Sequence, residues 1–332
     1  MHLKSYVCIL QLTTDTINRM AIEIFLLVLG LTGLYFGSEW LVCGASRLAR
    51  SYNVSPLIIG LTIVSFGTSA PELLVSLFAS ESGAAGLSIG NIIGSYIINI
   101  ALVVGMSILL KPMVIHRQKI ATELYFMVGT SLLFWILCMN GTISRADGTI
   151  LIGLLVAYLI YRFFNPKTHD CDAQEESAFS KGPLINGIAV IIGTVVLCTG
   201  AHFVVKSAMA MADYFQISNT FIGLTIVAFG TSLPELAASL MAAKKMESDI
   251  AIGNVVGSNI FNACMVMGAV GTISPLEVES GLHRFEFPFM ILISISLLFL
   301  VHKNSLLKRI HGMGYVGFFL LYIGISWYVT GL

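Results

Sequence analysis

The chain has 332 residues, of which 56% are hydrophobic and only 11% charged. Soluble domains carry about 25% charged residues, so lipid rather than water is the solvent for most of this surface. The formal charge balances at zero, which leaves no basic face for nucleic acid.

In chain order, residues 1–19 hold one short apolar run followed by polar residues through Arg19, too weak for a secretory signal, and read as a poorly ordered N-terminal extension before Met20. A membrane helix needs about 20 mostly apolar residues. Ten stretches qualify: 21–48, 55–80, 86–110, 119–139, 147–164, 183–212, 218–243, 249–272, 286–302 and 312–330. The expected fold class is therefore an all-α polytopic membrane protein. Residues 20–164 hold spans 1–5, 165–182 form a linker, and 183–332 hold spans 6–10. The linker carries Asp170, Asp172, Glu175 and Glu176, but their spacing does not fit a calcium loop of the EF-hand type, and a solvated connection is the reading. Six cysteines (Cys8, Cys43, Cys138, Cys171, Cys198 and Cys264) contain no CxxC pair, so neither a zinc knuckle nor a disulfide framework is implied. The histidines do not cluster, and His202, one turn before Lys206, reads as interfacial rather than pore-lining.

Orientation follows from Lys and Arg in alternate loops. Loops after odd-numbered spans hold 13 of these residues, Arg162 among them, against 5 on the opposite face. The first set is expected in the cytoplasm, which puts both termini outside a plasma membrane.

An internal repeat carries most of the information. GLTIVSFGTSAPELLVSLF (60–78) matches GLTIVAFGTSLPELAASLM (223–241) at an offset of 223 − 60 = 163. At the same offset, without a gap, IGNIIGSYIINI (89–100) matches IGNVVGSNIFNA (252–263). Five spans separate equivalent elements, and an odd number reverses direction. The fold is thus expected to be two inverted five-helix repeats, a recurrent design in secondary transporters.

Glu72 and Glu235 occupy equivalent places in these repeats. A carboxylate near the centre of a membrane helix costs about 2.5–3.5 kcal/mol to insert. A purely structural pair would not explain the polar company each keeps: Thr68, Ser69 and Pro71 before Glu72, and Thr231, Ser232 and Pro234 before Glu235. Proline removes a backbone donor and biases its predecessor away from the helix. Each string should break its span and start a second half-helix, with Ser69 and Ser232 near the cap. The break is expected to free carbonyls of Ser65, Phe66 and Thr68, and of Ala228, Phe229 and Thr231. Free backbone at this depth must line a cavity or be buried in protein. Carbonyls, hydroxyls and carboxylates together suit hard cations such as Na+ and Ca2+.

The second motif adds Ser95 and Asn99 on one helix face, repeated as Ser258 and Asn262. Gly90 and Gly94, and Gly253 and Gly257, should let these helices approach their neighbours. Asn91 and Asn254 read as satisfying local backbone rather than as ligands. Two carboxylates carry a charge that one Ca2+ or two Na+ neutralise, but not both loads together, since like charges at close range repel. Mutually exclusive occupancy is the physical basis of exchange. Protons should compete for the same carboxylates, because burial disfavours the bare charge.

The strings GTSAPEL and GTSLPEL, with GNIIGSYIIN and GNVVGSNIFN, resemble the two repeats of the sodium/calcium exchanger family, in its compact prokaryotic form, across both halves of the chain. The resemblance implies helices 2, 3, 7 and 8 around the site, with helices 1 and 6 sliding past them to alternate access. It maps ligand roles onto Thr68, Ser69, Glu72, Ser95 and Asn99, onto Thr231, Ser232, Glu235, Ser258 and Asn262, and carbonyl ligation onto Ser65 and Ala228. Asn262 stands where potassium-dependent relatives have Asp, so potassium co-transport is not expected. Tyr96 departs from the GSN triplet and brings a bulky ring beside the site. Residues 165–182 are too short for a regulatory calcium-sensing insert. The function expected is antiport of Na+ against Ca2+, normally expelling Ca2+, with H+-coupled exchange through the same glutamates as the alternative. No enzymatic activity, cofactor or obligatory protein partner is expected. An intramembrane hydrolase would need a nucleophile and base that do not accompany these serines, and a sodium symporter of organic solutes would need an Arg or aromatic pocket within the repeats.

Overall fold

The computed structural model describes residues 2–52, 54–164, 182–214 and 228–330, with the backbone alone for 2–19, 163, 208, 209, 211–214, 228, 327, 329 and 330. The acidic linker and residues 215–227, with all of 218–227 at the start of the seventh expected span, lie outside these.

Long apolar runs give long helices. α1 (His2–Ser51) includes the backbone of residues 2–19, set apart above as an extension, and its apolar part is Met20–Ser51. α2 (Pro56–Thr68) and α3 (Ala70–Glu81) meet at 42°. α4 (Ala85–Leu110), α5 (Arg117–Cys138), α6 (Arg145–Phe164) and α7 (Pro183–Tyr214) follow. The chain then continues through α8 (Ala228–Thr231), α9 (Leu233–Lys244), α10 (Ser248–Ile273), α11 (Glu286–Lys303) and α12 (Arg309–Thr330). Among the described residues, six helices are long and apolar enough to cross a membrane, or seven if the bent α2–α3 pair is one span. The molecule is a helical, polytopic membrane protein.

Among the described residues, four two-residue strands qualify the all-α expectation. β1 (Met113–Val114) pairs antiparallel with β4 (Leu306–Leu307), and β2 (Thr142–Ile143) with β3 (Leu276–Glu277). In these extended loop segments the backbone groups find their partners in the facing strand.

Burial separates centre from rim. The apolar windows of α4 and α10 are 83% and 94% buried, against 17% and 28% for α1 and α7. On α1 and α7 the large side chains Phe25, Leu31, Ile191 and Val195 are exposed, as a lipid-facing surface requires. The helices α1 and α7 pack closely on each other. A Cβ on Gly37 would lie 2.5 Å from the Leu197 amide nitrogen, and one on Gly193 2.5 Å from that of Leu41. Only glycine permits this approach, the small-residue packing typical of membrane helices.

One charge does not lie where the loop count put it. Arg162, near the end of α6, is buried and pairs at 2.6 Å with Glu123 of α5. Arg162 stands two residues before the end of α6, where such a side chain ordinarily reaches to the interface, but here it turns inward to the Glu123 carboxylate. Removing it from the tally leaves 13 − 1 = 12 against 5.

Candidate functional site

Pro71 cannot donate to the Gly67 carbonyl four residues back. That carbonyl instead accepts the Cys198 thiol of α7 at 3.6 Å. The break itself is one residue, Ser69, at φ −82° and ψ 5°. Ser232 repeats it at φ −86° and ψ 2°, with Pro234 and Glu235 in the first turn of α9. Because the interruption is so short, the Ser65 carbonyl is not freed as expected. It accepts the Ser69 amide at 2.9 Å and the Thr68 hydroxyl at 3.3 Å. Ala228 opens the described part of α8, and its side chain is outside the description.

Ser69 sits at the N-cap of α3 but makes no capping bond. Its hydroxyl donates to Glu235 Oε1 across the molecule at 3.1 Å. Thr68 and Ser258 also reach the Glu235 carboxylate, and Ser232 and the Glu235 charge face Glu72. The contacts between halves are reciprocal. The Thr68 hydroxyl bonds Asn254 Oδ1 at 3.2 Å and lies 3.4 Å from Ser258 Oγ. The Thr231 hydroxyl bonds Asn91 Oδ1 at 3.1 Å and lies 3.5 Å from Ser95 Oγ. Asn91 donates to Ser76 at 3.1 Å, and Asn254 to Ser239 at 2.9 Å.

Glu72, Glu235, Ser69, Thr68, Ser65, Ser95, Asn99, Ser258 and Asn262 are all fully buried, and Ser232 and Thr231 nearly so. Both Glu72 oxygens, Glu235 Oε2, Asn99 Oδ1, Ser232 Oγ and both amide atoms of Asn262 make no hydrogen bond of ordinary geometry among the described residues. So many unsatisfied oxygens in one buried place would be costly in a merely structural core. Among the described residues no basic side chain pairs with either glutamate, and no three His, Cys, Asp or Glu side chains gather as a soft-metal site would require. The arrangement can therefore hold a hard cation, or protons, between two carboxylates.

The two motifs come together as their spacing suggested, and three details differ. Asn91 and Asn254 do not serve local backbone. They bridge helices and hold the hydroxyls of Thr231 and Thr68 in place. Gly253 and Gly257 approach α2 closely, the first placing a Cβ 2.8 Å from the Leu57 carbonyl and the second against Ser65 Oγ, while Gly90 meets nothing within 4 Å among the described residues. Its repeat-equivalent partner, residues 220–224, lies outside them. Thirdly, π-helical turns at Gly60–Val64, Asn99–Val104 and Asn262–Val266 start at or beside the site. Such turns recur at functional sites, but they leave no mark in the hydrophobic pattern. Sequence reading also passed over Ser76, Ser239, Asn259 and Cys198. The serines and Asn259 recur at or differ across the 163-residue offset, a signal that was available, whereas nothing flags Cys198.

Residues 22–164 and 186–328 each match the family model described as "Sodium/calcium exchanger protein". The chain is 33% identical to the sodium/calcium exchanger MaX1 of Methanosarcina acetivorans over 93% of its own length and 100% of the relative's. It is 35% identical to inner membrane protein YrbG of Escherichia coli over 86% and 90% of the two lengths. A solved structure of the sodium-calcium exchanger NCX_Mj, soaked with Na+ and Ca2+, superposes with a TM-score of 0.81 at 33% identity, covering 91% of this chain and 98% of that one.

Proposed function

The chain belongs to the sodium/calcium exchanger protein family, and on that premise we propose that it is a secondary antiporter exchanging Na+ for Ca2+ across the plasma membrane, normally extruding Ca2+. The observation that carries this reading is the pair Glu72 and Glu235, fully buried, within each other's electrostatic reach and without a basic partner among the described residues. One Ca2+ or two Na+ would neutralise that pair, and either load would exclude the other.

The ligand set proposed is Glu72, Glu235, Ser69, Ser232, Thr68, Thr231, Ser95, Ser258, Asn99 and Asn262, with carbonyls of Ser65 and Ala228. Burial and the unsatisfied oxygens support it. The Ser65 carbonyl, already accepting twice, would have to exchange the Thr68 hydroxyl for an ion. The chain is read as two five-helix halves of opposite orientation, ten spans in all. The gapless 163-residue offset and the reciprocal contacts support this. So do the strand pairs, since β1 and β3 are 276 − 113 = 163 residues apart while each pairs with the other half. For alternating access, α1 and α7 move as a unit past the central helices. Their glycine-lined contact with each other supports that.

Purified protein in vesicles tests the exchange. With Na+ inside, labelled Ca2+ should enter and should stop entering when the Na+ gradient is dissipated. Uptake that follows an imposed pH gradient and ignores Na+ would favour proton coupling instead.

A further inference from the structure

The two asparagines facing the site are not equivalent, although the repeat makes them so in sequence. Asn99 Nδ2 donates to Asn259 Oδ1 at 3.1 Å. Asn259 is fixed in turn, because its own Nδ2 donates to the Tyr96 carbonyl at 3.3 Å and lies 3.9 Å from Met127 Sδ. An amide whose nitrogen is committed has its oxygen aimed the other way. The relay thus leaves Asn99 Oδ1 buried, without a protein partner among the described residues, and pointing away from Asn259. In the other half the arrangement fails. The residue equivalent to Asn259 (259 − 163 = 96) is Tyr96, which carries no amide. Its hydroxyl donates to the Met127 carbonyl at 3.0 Å. Both amide atoms of Asn262 are left without partners among the described residues.

We propose that Asn259 is a positioning residue for cation binding: it locks the Asn99 amide with its oxygen toward the ion, while Tyr96 leaves Asn262 free to turn either end of its amide inward. The site is thereby divided into a pre-set oxygen on the Asn99 side and an adaptable amide on the Asn262 side. Pre-setting lowers the cost of ordering a ligand when the ion arrives. This assignment rests on the antiport reading of the glutamate pair.

The test is a double-mutant cycle on Ca2+ uptake and on Ca2+-induced thermal stabilisation of the purified protein. Asn259→Ala should raise the Ca2+ concentration for half-maximal uptake about tenfold, as removal of a partner behind a metal ligand typically does, with maximal uptake little changed. Asn99→Ala, which removes a proposed ligand itself, should raise that concentration at least as much and lower maximal uptake as well, and the double variant should be no worse than Asn99→Ala alone. Asn259→Leu, which keeps the volume and removes the amide, serves if the alanine variant does not fold. Unchanged half-saturation in both Asn259 variants, or losses that multiply in the double variant, would overturn the assignment while leaving the antiport reading intact. Wild-type protein that is neither stabilised by Ca2+ or Na+ nor transports them would overturn both.

Discussion

At the scale of single residues, a short motif acts through what it leaves unsatisfied. Ser69 gives up a capping role to reach Glu235, and Thr68 is held by Asn254, so hydroxyls that would otherwise serve their own helix face a carboxylate of the other half. Asn262, with both amide atoms unpartnered, is the position most open to retuning. Asn262→Asp adds a third carboxylate to the pair and should shift the cation profile toward higher charge or additional ions. Competition of Na+, K+ and Sr2+ with labelled Ca2+ uptake measures this, and an unchanged profile would place residue 262 outside the site. Much of this chemistry was legible in the sequence, because Glu and Pro inside an apolar run are costly enough to stand out and the repeat shows each twice. Cys198 was not legible: a cysteine in an apolar helix has no distinguishing neighbours until α7 is laid against the broken turn. Nor was the intact Ser65 carbonyl, since proline identifies the missing donor but not how quickly the helix resumes.

At the scale of elements, hydropathy located the long helices and failed on finer form. π-turns differ from α-turns by one hydrogen-bond step and keep nearly the same side-chain pattern, so Asn99–Val104 and Asn262–Val266 read as plain helix. Two-residue strands fall below any periodicity. The Glu123–Arg162 pair joining α5 to α6 was likewise invisible, because Arg162 stands at an apolar run's end, where a loop cation is the ordinary expectation. Its energetics can be separated by substitution. Arg162→Met leaves Glu123 buried beside an uncharged neighbour and should destabilise the protein by on the order of 3 kcal/mol. Adding Glu123→Leu should restore most of that, since an apolar pair avoids the desolvation cost altogether. Thermal unfolding of the detergent-purified variants checks this. A double variant as unstable as Arg162→Met alone would show that the pair does more than neutralise itself.

At the scale of the whole molecule, the repeat offset is the strongest fact, and its structural counterpart is reciprocity: hydroxyl–amide bonds, helix-breaking serines and strand pairs each occur in equivalent pairs across the halves. Two oppositely directed halves of five spans each would place both termini on one face. With 12 Lys and Arg residues at the opposite ends of the spans against 5 once Arg162 is set aside, the charge rule predicts that face to be the outer one. Alkaline phosphatase fused after Leu332 should accordingly be active, and a green fluorescent protein at the same place dark; the opposite pattern would reverse the orientation.

The central claim is that one cation is held jointly by Glu72 and Glu235. Equilibrium binding of labelled Ca2+ to purified protein, displaced by Na+, tests it most directly. The wild-type chain should bind Ca2+ in competition with Na+, and Glu72→Gln and Glu235→Gln should each lose that binding while unfolding at a similar temperature. Undiminished Ca2+ binding in either folded variant would contradict a shared site.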